Sequence, residues 1–191
     1  RLKIHLYEAS SRNSRPQNRS VAALREDSRT DVTTKSAIEM DFIMKLYSYW
    51  RSSASYRVRI ALHLKGLKAD IVPVNLLKSE QKGTAYAGVN AEKRVPALID
   101  GEYTLTQSLS IIEYLEEKYP SPPLLPLAPP ERARVRALAL AVACDISPLG
   151  NLGPMQYLGE QLGAGKEQKI EWLHHWMHTG FAALEQVLAE S

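Results

Sequence analysis

The segment 120–130 carries six prolines and divides the chain into two parts of different character. Proline has no backbone N–H and a fixed φ, so a helix cannot run through this segment, and a stiff extended linker is expected. Before the linker, strand patterns alternate with helical ones, whereas only helical patterns follow it. The chain must therefore join a mixed α/β part to an all-helical part.

The α/β part opens with a strand–helix–strand pattern. Residues 45–50 are rich in aromatics and alternate, as in a strand, and a polar break at 51–55 precedes a helical pattern. Gly66 lies where a C-terminal cap is expected. Residues 70–75 return to strand composition, with Pro73 suited to a sheet edge. We expect the two strands to be parallel, with a right-handed crossover.

A hairpin and a further helix complete this part. Strand patterns at 96–100 and 103–105 flank a short turn at Gly101, and a helical pattern covers 108–119. The order βαβ–ββα, followed by helical patterns at 131–147 and 166–189, predicts an α/β thioredoxin-like N-terminal domain followed by an all-α domain. The predicted boundaries are 44–119 for the first domain, 120–130 for the linker and 131–191 for the second domain.

Composition and charge exclude several classes of protein. The 191 residues hold 24 basic and 21 acidic side chains, but residues 44–191 are almost neutral, with 16 basic against 15 acidic. This part therefore offers no basic stripe for nucleic acid. The longest apolar run, 137–144, is eight residues, so no membrane partner is expected. A single Cys forms no internal disulfide, which favours the cytoplasm.

Residues 1–43 differ from the rest of the chain. They are rich in Arg and Ser and show no sustained period of 2 or 3.6 residues. We expect this segment to be a disordered extension outside the fold. The chain opens with Arg, and Met44 stands directly before the first strand pattern, so Met44 is the expected natural start.

The polar break contains the first candidate site, Arg51-Ser52-Ser53-Ala54-Ser55. At a helix N-terminus, free N–H groups and the helix dipole favour an anion, and a Ser hydroxyl can donate to it. Such a site can stabilise a thiolate. Taken alone, plain N-capping explains these serines better.

Two further candidates follow. Pro96 precedes a strand, and a cis Val95–Pro96 bond would present the polar backbone groups of Val95 to an extended ligand; a trans proline is the simpler alternative. Gln107 and Ser108 begin a helix and could hold a carboxylate, although capping by Ser108 is equally compatible.

The other residues that could carry chemistry are better explained by structural roles. His174 and His178 have the i, i+4 spacing of a metal pair, but a solvated helix face is expected, and no metal site is predicted. Cys144 ends an apolar helical run and is expected to be a buried, inert thiol. Trp172 and Trp176 lie one turn apart and are expected to pack together.

Three stretches resemble the zeta class of glutathione transferases, the family that includes maleylacetoacetate isomerases. They are SYWRSSASYRVRIAL (48–62), VPALIDGEYTLTQSLSIIEYLEEKYP (95–120) and ISPLGNL (146–152). The resemblance extends from about Met44 to the last residue. It implies the glutathione transferase fold, with glutathione as cofactor.

The resemblance also implies roles for the candidates. Ser52 would activate the glutathione sulfur, assisted by Ser53, and Arg51 is the candidate for binding substrate carboxylates. The implied contacts to the rest of glutathione come from five residues: Val95 beside a cis Pro96, Gln107, Ser108 and Asn151.

The implied function is glutathione-dependent cis–trans isomerisation of maleylacetoacetate to fumarylacetoacetate, in the breakdown of tyrosine and phenylalanine. A homodimer acting on a small dicarboxylate is implied as well. A general glutathione transferase or peroxidase, and a catalytically inactive binding or dimerisation module, stay open as alternatives.

The chain departs from the family pattern in three places. Ala54 replaces a usual Cys, and Gly150 replaces a Gln or Asn that can reach glutathione, which leaves Asn151 as the polar candidate there. The chain also ends at Ser191, where family members continue with further helices, so we expect a C-terminally truncated helical domain.

Overall fold

The computed structural model describes residues 44–190. The predicted disordered extension, 1–43, and the proposed start at Met44 concern a segment that lies outside this range.

A four-stranded mixed sheet forms the centre of the first part. Its strands are β1 (Met44–Ser48), β2 (Ala69–Pro73), β3 (Ala97–Asp100) and β4 (Tyr103–Thr106), in the order β2-β1-β3-β4. The β1–β2 pair is parallel, and the β1–β3 and β3–β4 pairs are antiparallel. The predicted parallel unit, the hairpin and the edge position of Pro73 are confirmed.

The strand register brings three chain segments to one end of the sheet. Tyr47, near the end of β1, pairs with Ala97 at the start of β3, and Ala97 pairs with Thr106 at the end of β4. The residues that follow β1, precede β3 and follow β4 must therefore lie at the same end. These segments carry the candidate residues around positions 52, 95 and 107.

Two helices pack on one face of this sheet. They are α1 (Ser53–Leu64) and α3 (Ser108–Lys118), while 3₁₀ turns at Leu76–Lys78 and Glu80–Lys82 and the short helix α2 (Thr84–Ala87) connect β2 to β3. Apolar side chains from both helices and from the strands form the buried core: Met44, Leu46, Val58, Leu62, Leu98, Ile111 and Leu115. Gly66, with φ +65°, directly follows the C-cap residue Lys65 and terminates the helical path as predicted, since an L side chain rarely adopts this conformation.

The second part consists of helices, with one correction to the sequence prediction. Helix α4 (Pro129–Leu140) begins inside the proline run, since proline is tolerated in the first turn. The α-helix predicted at 131–147 passes into a π-helical turn, Ala141–Ile146, and a 3₁₀ turn, Ser147–Gly150, because Pro148 has no N–H with which to continue the ladder. Helix α5 (Leu152–Glu160) was not predicted, whereas α6 (Lys166–Ala189) matches the prediction.

The helical part leaves much of its apolar surface uncovered. Ile146 is the only buried residue among 129–190. By length and composition alone, the helical stretch Pro129–Glu160 could cross a membrane, because it contains an 18-residue window with a mean hydropathy of 1.3; helices in the cores of soluble proteins pass the same test.

A buried ion pair joins α1, α3 and the proline-rich linker. The Lys65 ammonium lies 2.6 Å from a Glu116 carboxylate oxygen and donates to the carbonyls of Tyr119 (2.7 Å) and Pro122 (3.0 Å). Glu116 also accepts from the N–H groups of two linker residues, Leu124 and Leu125. Burial opposes its ionisation, but these hydrogen bonds outweigh burial and hold the pKa of Glu116 below its ordinary value.

Replacing Lys65 by Met should lower the free energy of unfolding by about 3–5 kcal/mol, because the Glu116 charge would stay buried without its partner. Urea unfolding followed by circular dichroism at neutral pH measures this loss. Adding Glu116→Gln should recover part of it, since no unpaired charge remains.

Arg136→Met is the matched control for this experiment. Arg136 pairs with Glu113 in a bridge whose side chains are 39% and 35% exposed, so its loss should cost much less than the loss of Lys65. An equally small loss for Lys65→Met would contradict the assigned importance of the buried pair.

Candidate functional site

Ser52 is the N-cap of α1. Its backbone is extended, and its Oγ accepts a hydrogen bond from the Ser55 N–H at 3.1 Å, so the capping reading is confirmed. A hydroxyl has one hydrogen to donate besides its two acceptor lone pairs. Within residues 44–190 no acceptor engages the Ser52 hydrogen. Capping therefore leaves the hydroxyl able to donate to an anion at the helix N-terminus.

The helical part contacts the start of α1 through Ser147. Its Oγ lies 3.0 Å from the Oγ of the exposed Ser53, and one hydroxyl donates to the other. Ser147 was not predicted as a site residue; its only signal was its place in the ISPLGNL stretch. The predicted candidate Asn151 is the N-cap residue of α5, four residues later, and its side chain makes no capping hydrogen bond.

Helix α6 holds this segment in position. The Trp172 indole N–H donates to the Leu149 carbonyl at 2.9 Å, and Trp172 packs edge-on against Trp176, as expected. A Cβ added at Gly150 would lie 2.8 Å from the Leu173 side chain. Glycine thus permits the close approach of α6, and a Gln or Asn at this position would displace Leu173.

Arg51 is exposed beside the N-terminus of α1. Its guanidinium carbon lies 5.5 Å from the centre of the Trp50 ring, and Trp50 is itself 75% exposed. Arg51 takes part in none of the ion pairs within 44–190. It is thus a positive group that faces solvent next to Ser52.

The Val95–Pro96 bond is cis, as the resemblance implied, and both residues are buried. In the described part of the chain, the N–H and C=O of Val95 have no hydrogen-bond partner. The preceding loop is held by the Tyr86 hydroxyl and the Asn90 amide, which donate to the Arg94 carbonyl at 2.6 and 2.8 Å. Burial raises the pKa of Tyr86 to about 12, so this hydroxyl keeps its proton.

Gln107 adopts a positive φ of 64° immediately before α3, in a region that non-glycine residues rarely occupy. Its side-chain amide donates to a carboxylate oxygen of Glu92 at 2.7 Å. Sequence reasoning did not single out Glu92, because nothing in the local pattern placed it beside Gln107.

Ser108 is the first residue of α3, and its side chain is not an N-cap, so the capping alternative is wrong. Its Oγ accepts hydrogen bonds from Nε (3.2 Å) and Nη2 (3.0 Å) of Arg57 in α1. Arg57 was not predicted as a site residue either. The two partners are 51 residues apart, and only the packing of α1 against α3 brings them together.

The remaining candidates do not join this site. Cys144 is exposed, which corrects the expectation of a buried thiol, because the π-helical turn replaces the regular helix there. The His174 and His178 rings lie 6.4 Å apart, and no cluster of three or more potential metal ligands occurs among residues 44–190.

The site thus lies at one end of a thioredoxin-like sheet, where α1 and α3 begin, and a helical part borders it. Comparison with known proteins agrees with this arrangement. The family described as "Glutathione S-transferase, N-terminal domain" matches residues 43–117. The fold is that of a glutathione transferase.

Individual relatives indicate which class of glutathione transferase this chain resembles. A probable maleylacetoacetate isomerase of Vibrio cholerae is 49% identical over 145 residues, which cover 75% of this chain and 67% of that protein. The holo structure of a zeta-class bacterial maleylpyruvate isomerase is 46% identical with a TM-score of 0.75, covering 76% of this chain and 68% of that one. A maleylacetoacetate isomerase of Methylobacterium extorquens, solved with malonate and glutathione bound, is 42% identical with a TM-score of 0.75, covering 77% and 69%.

The chain belongs to the zeta-class glutathione transferase family, which includes the maleylacetoacetate isomerases.

The capping role of Ser52 predicts a difference between two substitutions. Ser52→Ala removes the acceptor for the Ser55 N–H and should lower the free energy of unfolding by about 1 kcal/mol. Ser52→Asn keeps a capping oxygen and should stay within about 0.5 kcal/mol of the original protein. Urea unfolding of the two variants checks this; equal losses would show that the cap contributes nothing.

Proposed function

We propose that this protein binds glutathione at the end of the sheet where α1 and α3 begin, and uses it to isomerise a maleyl-type dicarboxylate, maleylacetoacetate, to its fumaryl isomer. The observation that carries the proposal is the Ser52 hydroxyl, which caps α1 and still has its hydrogen available at the helix N-terminus. The family relationship supports the same reaction.

The residues present fit the thiol, the cysteinyl backbone and the γ-glutamyl end of glutathione. In this proposal the thiol lies at Ser52. The tripeptide backbone pairs with the unpaired N–H and C=O of Val95, beside Pro96. The γ-glutamyl carboxylate lies at the start of α3, where Gln107 and Ser108 offer an amide, a hydroxyl and free N–H groups.

The interactions available at Ser52, a hydrogen bond and the α1 dipole, stabilise the thiolate enough to ionise the thiol. Lowering a thiol pKa from about 8.5 to about 6.5 requires about 2.7 kcal/mol of selective stabilisation of the thiolate. A hydrogen bond to a charged group contributes about 1.5–3 kcal/mol and a helix N-terminus about 1 kcal/mol. Ser52 together with the α1 dipole is therefore sufficient.

When bound, glutathione would supply a thiolate nucleophile for reversible addition to a cis double bond. The protein's own residues hold and orient the reactants. Ser52 donates its hydrogen to the sulfur, and Ser53, fixed by Ser147, lies next to it. Arg51, free of a carboxylate partner within 44–190, binds a substrate carboxylate. Asn151 contributes a further polar contact from the helical side.

Ser52→Asn should abolish isomerisation of maleylacetone in the presence of glutathione while leaving the fold intact, because the amide keeps the cap but lacks the hydroxyl. Absorbance follows the reaction. In the same variant, ultraviolet titration of the bound thiol should show its pKa rising towards the value of free glutathione.

Ser110→Asn, at an exposed position in α3, is the matched control and should keep the full rate. Full activity of Ser52→Asn would remove Ser52 from the mechanism. Retention on glutathione resin without any turnover by the unsubstituted protein would instead favour an inactive binding module.

We further propose a cytoplasmic homodimer that acts in the breakdown of tyrosine and phenylalanine. Exposed apolar side chains on α4 and α6 support an interface between subunits: Leu140, Met177, Phe181 and Leu188. The single cysteine is compatible with a reducing compartment.

Sedimentation velocity should therefore give about twice the 21.4 kDa mass of one chain at micromolar concentration. A single-chain mass across the concentration range would contradict the dimer.

A further inference from the structure

Arg57 is a half-buried cation in α1 for which residues 44–190 supply no ion-pair partner. It lines a cavity of about 340 Å³ between α1, α3, the linker and α4. The two acidic residues of that cavity are already paired, Glu113 with Arg136 and Glu116 with Lys65. Burial lowers the pKa of Arg57, and the nearby Cys144 opposes this shift.

The neighbouring Arg59 shows what a purely structural arginine looks like in the same helix. Its guanidinium donates to three different acceptors, the Ser48 hydroxyl and the carbonyls of Tyr49 and Trp50, and so closes the β1–α1 connection. Arg57, in contrast, directs two N–H groups to one hydroxyl oxygen, that of Ser108. The apolar core already joins α1 to α3, so this contact is not needed to hold them together.

The two N–H donors determine what Ser108 can do. They occupy the acceptor side of its oxygen, so the hydroxyl hydrogen must point away from the guanidinium. Within the described residues that hydrogen has no acceptor. Ser108 also opens α3, where free N–H groups and the helix dipole favour an anion.

We infer that Arg57 is a positioning residue for carboxylate recognition: it orients the Ser108 hydroxyl towards the α-carboxylate of the γ-glutamyl group and adds its positive charge behind it. This inference rests on the proposed glutathione site. A charge-assisted hydrogen bond polarises the hydroxyl and makes it a stronger donor, so Arg57 acts on the ligand through Ser108. It determines which ligands are bound, not how fast the double bond isomerises.

Calorimetric titration of the full chain tests the inference with two ligands. One is glutathione, and the other is 4-aminobutyryl-cysteinyl-glycine, which lacks only the α-carboxylate. Arg57→Met should weaken glutathione binding about 10-fold or more and leave binding of the analogue within about 2-fold. Arg57→Lys keeps the positive charge but not the two N–H donors to Ser108, so it should recover part of the lost affinity for glutathione.

Arg136→Met is the matched control, because it removes an arginine from the same cavity without touching Ser108. It should change neither affinity by more than about 2-fold. In a Ser108→Ala background, Arg57→Met should have a much smaller effect than in the original protein, because the two residues act as a unit. In steady-state kinetics Arg57→Met should raise KM for glutathione and leave kcat almost unchanged.

Equal loss of affinity for both ligands in Arg57→Met would overturn the inference, since a merely structural arginine would weaken both alike. Full additivity with Ser108→Ala would overturn it as well. If the unsubstituted chain binds no glutathione, the proposed function fails and the inference with it. If the chain binds glutathione but isomerises nothing, only the proposed reaction fails, and the same titrations still decide the role of Arg57.

Discussion

One buried ammonium group determines how the two parts of this chain are joined. Lys65 is the C-cap residue of α1, its side chain is fully buried, and its hydrogen bonds reach Glu116 on α3 and the carbonyls of Tyr119 and Pro122, where α3 meets the linker. Glu116 holds the next linker residues by their N–H groups. A buried charge is tolerated only when all of its ion-pair and hydrogen-bond partners are in place. This network therefore fixes the path by which the chain leaves the sheet.

The candidate site repeats one chemical arrangement at two helix N-termini. At Ser52 and at Ser108, the protein occupies the acceptor side of the hydroxyl and leaves its hydrogen without an acceptor in the described residues. At the first serine the donor is a backbone N–H; at the second it is Arg57. Both hydroxyls are thus fixed before a ligand arrives, and each is suited to an anion, a thiolate in one case and a carboxylate in the other. Preorganised donors of this kind lose little entropy on binding.

Much of the fold and part of the site could be predicted from the sequence. The six prolines, the alternating strand patterns and the glycines at turns are local signals, and they correctly gave the βαβ–ββα order, the hairpin and α6. The local signals gave a wrong prediction where a helical pattern runs into a helix-breaking residue. The run 131–147 has a helical pattern throughout, but Pro148 converts its end into π-helical and 3₁₀ turns, which exposes Cys144. Helix α5 was missed because the glycines and the proline at its start weaken the helical pattern.

The sequence by itself determined which residue types stand at the helix N-termini, because capping, proline geometry and turn chemistry act over a few neighbours. Only the tertiary structure decided which distant side chains meet there. Ser53 and Ser147 are 94 residues apart, and Arg57 and Ser108 are 51 apart. No spacing rule links such pairs, because their contact depends on the rotation of each helix about its axis and on the packing of the core between the helices. Hydrogen bonds are short and directional, so they form only after that packing is fixed.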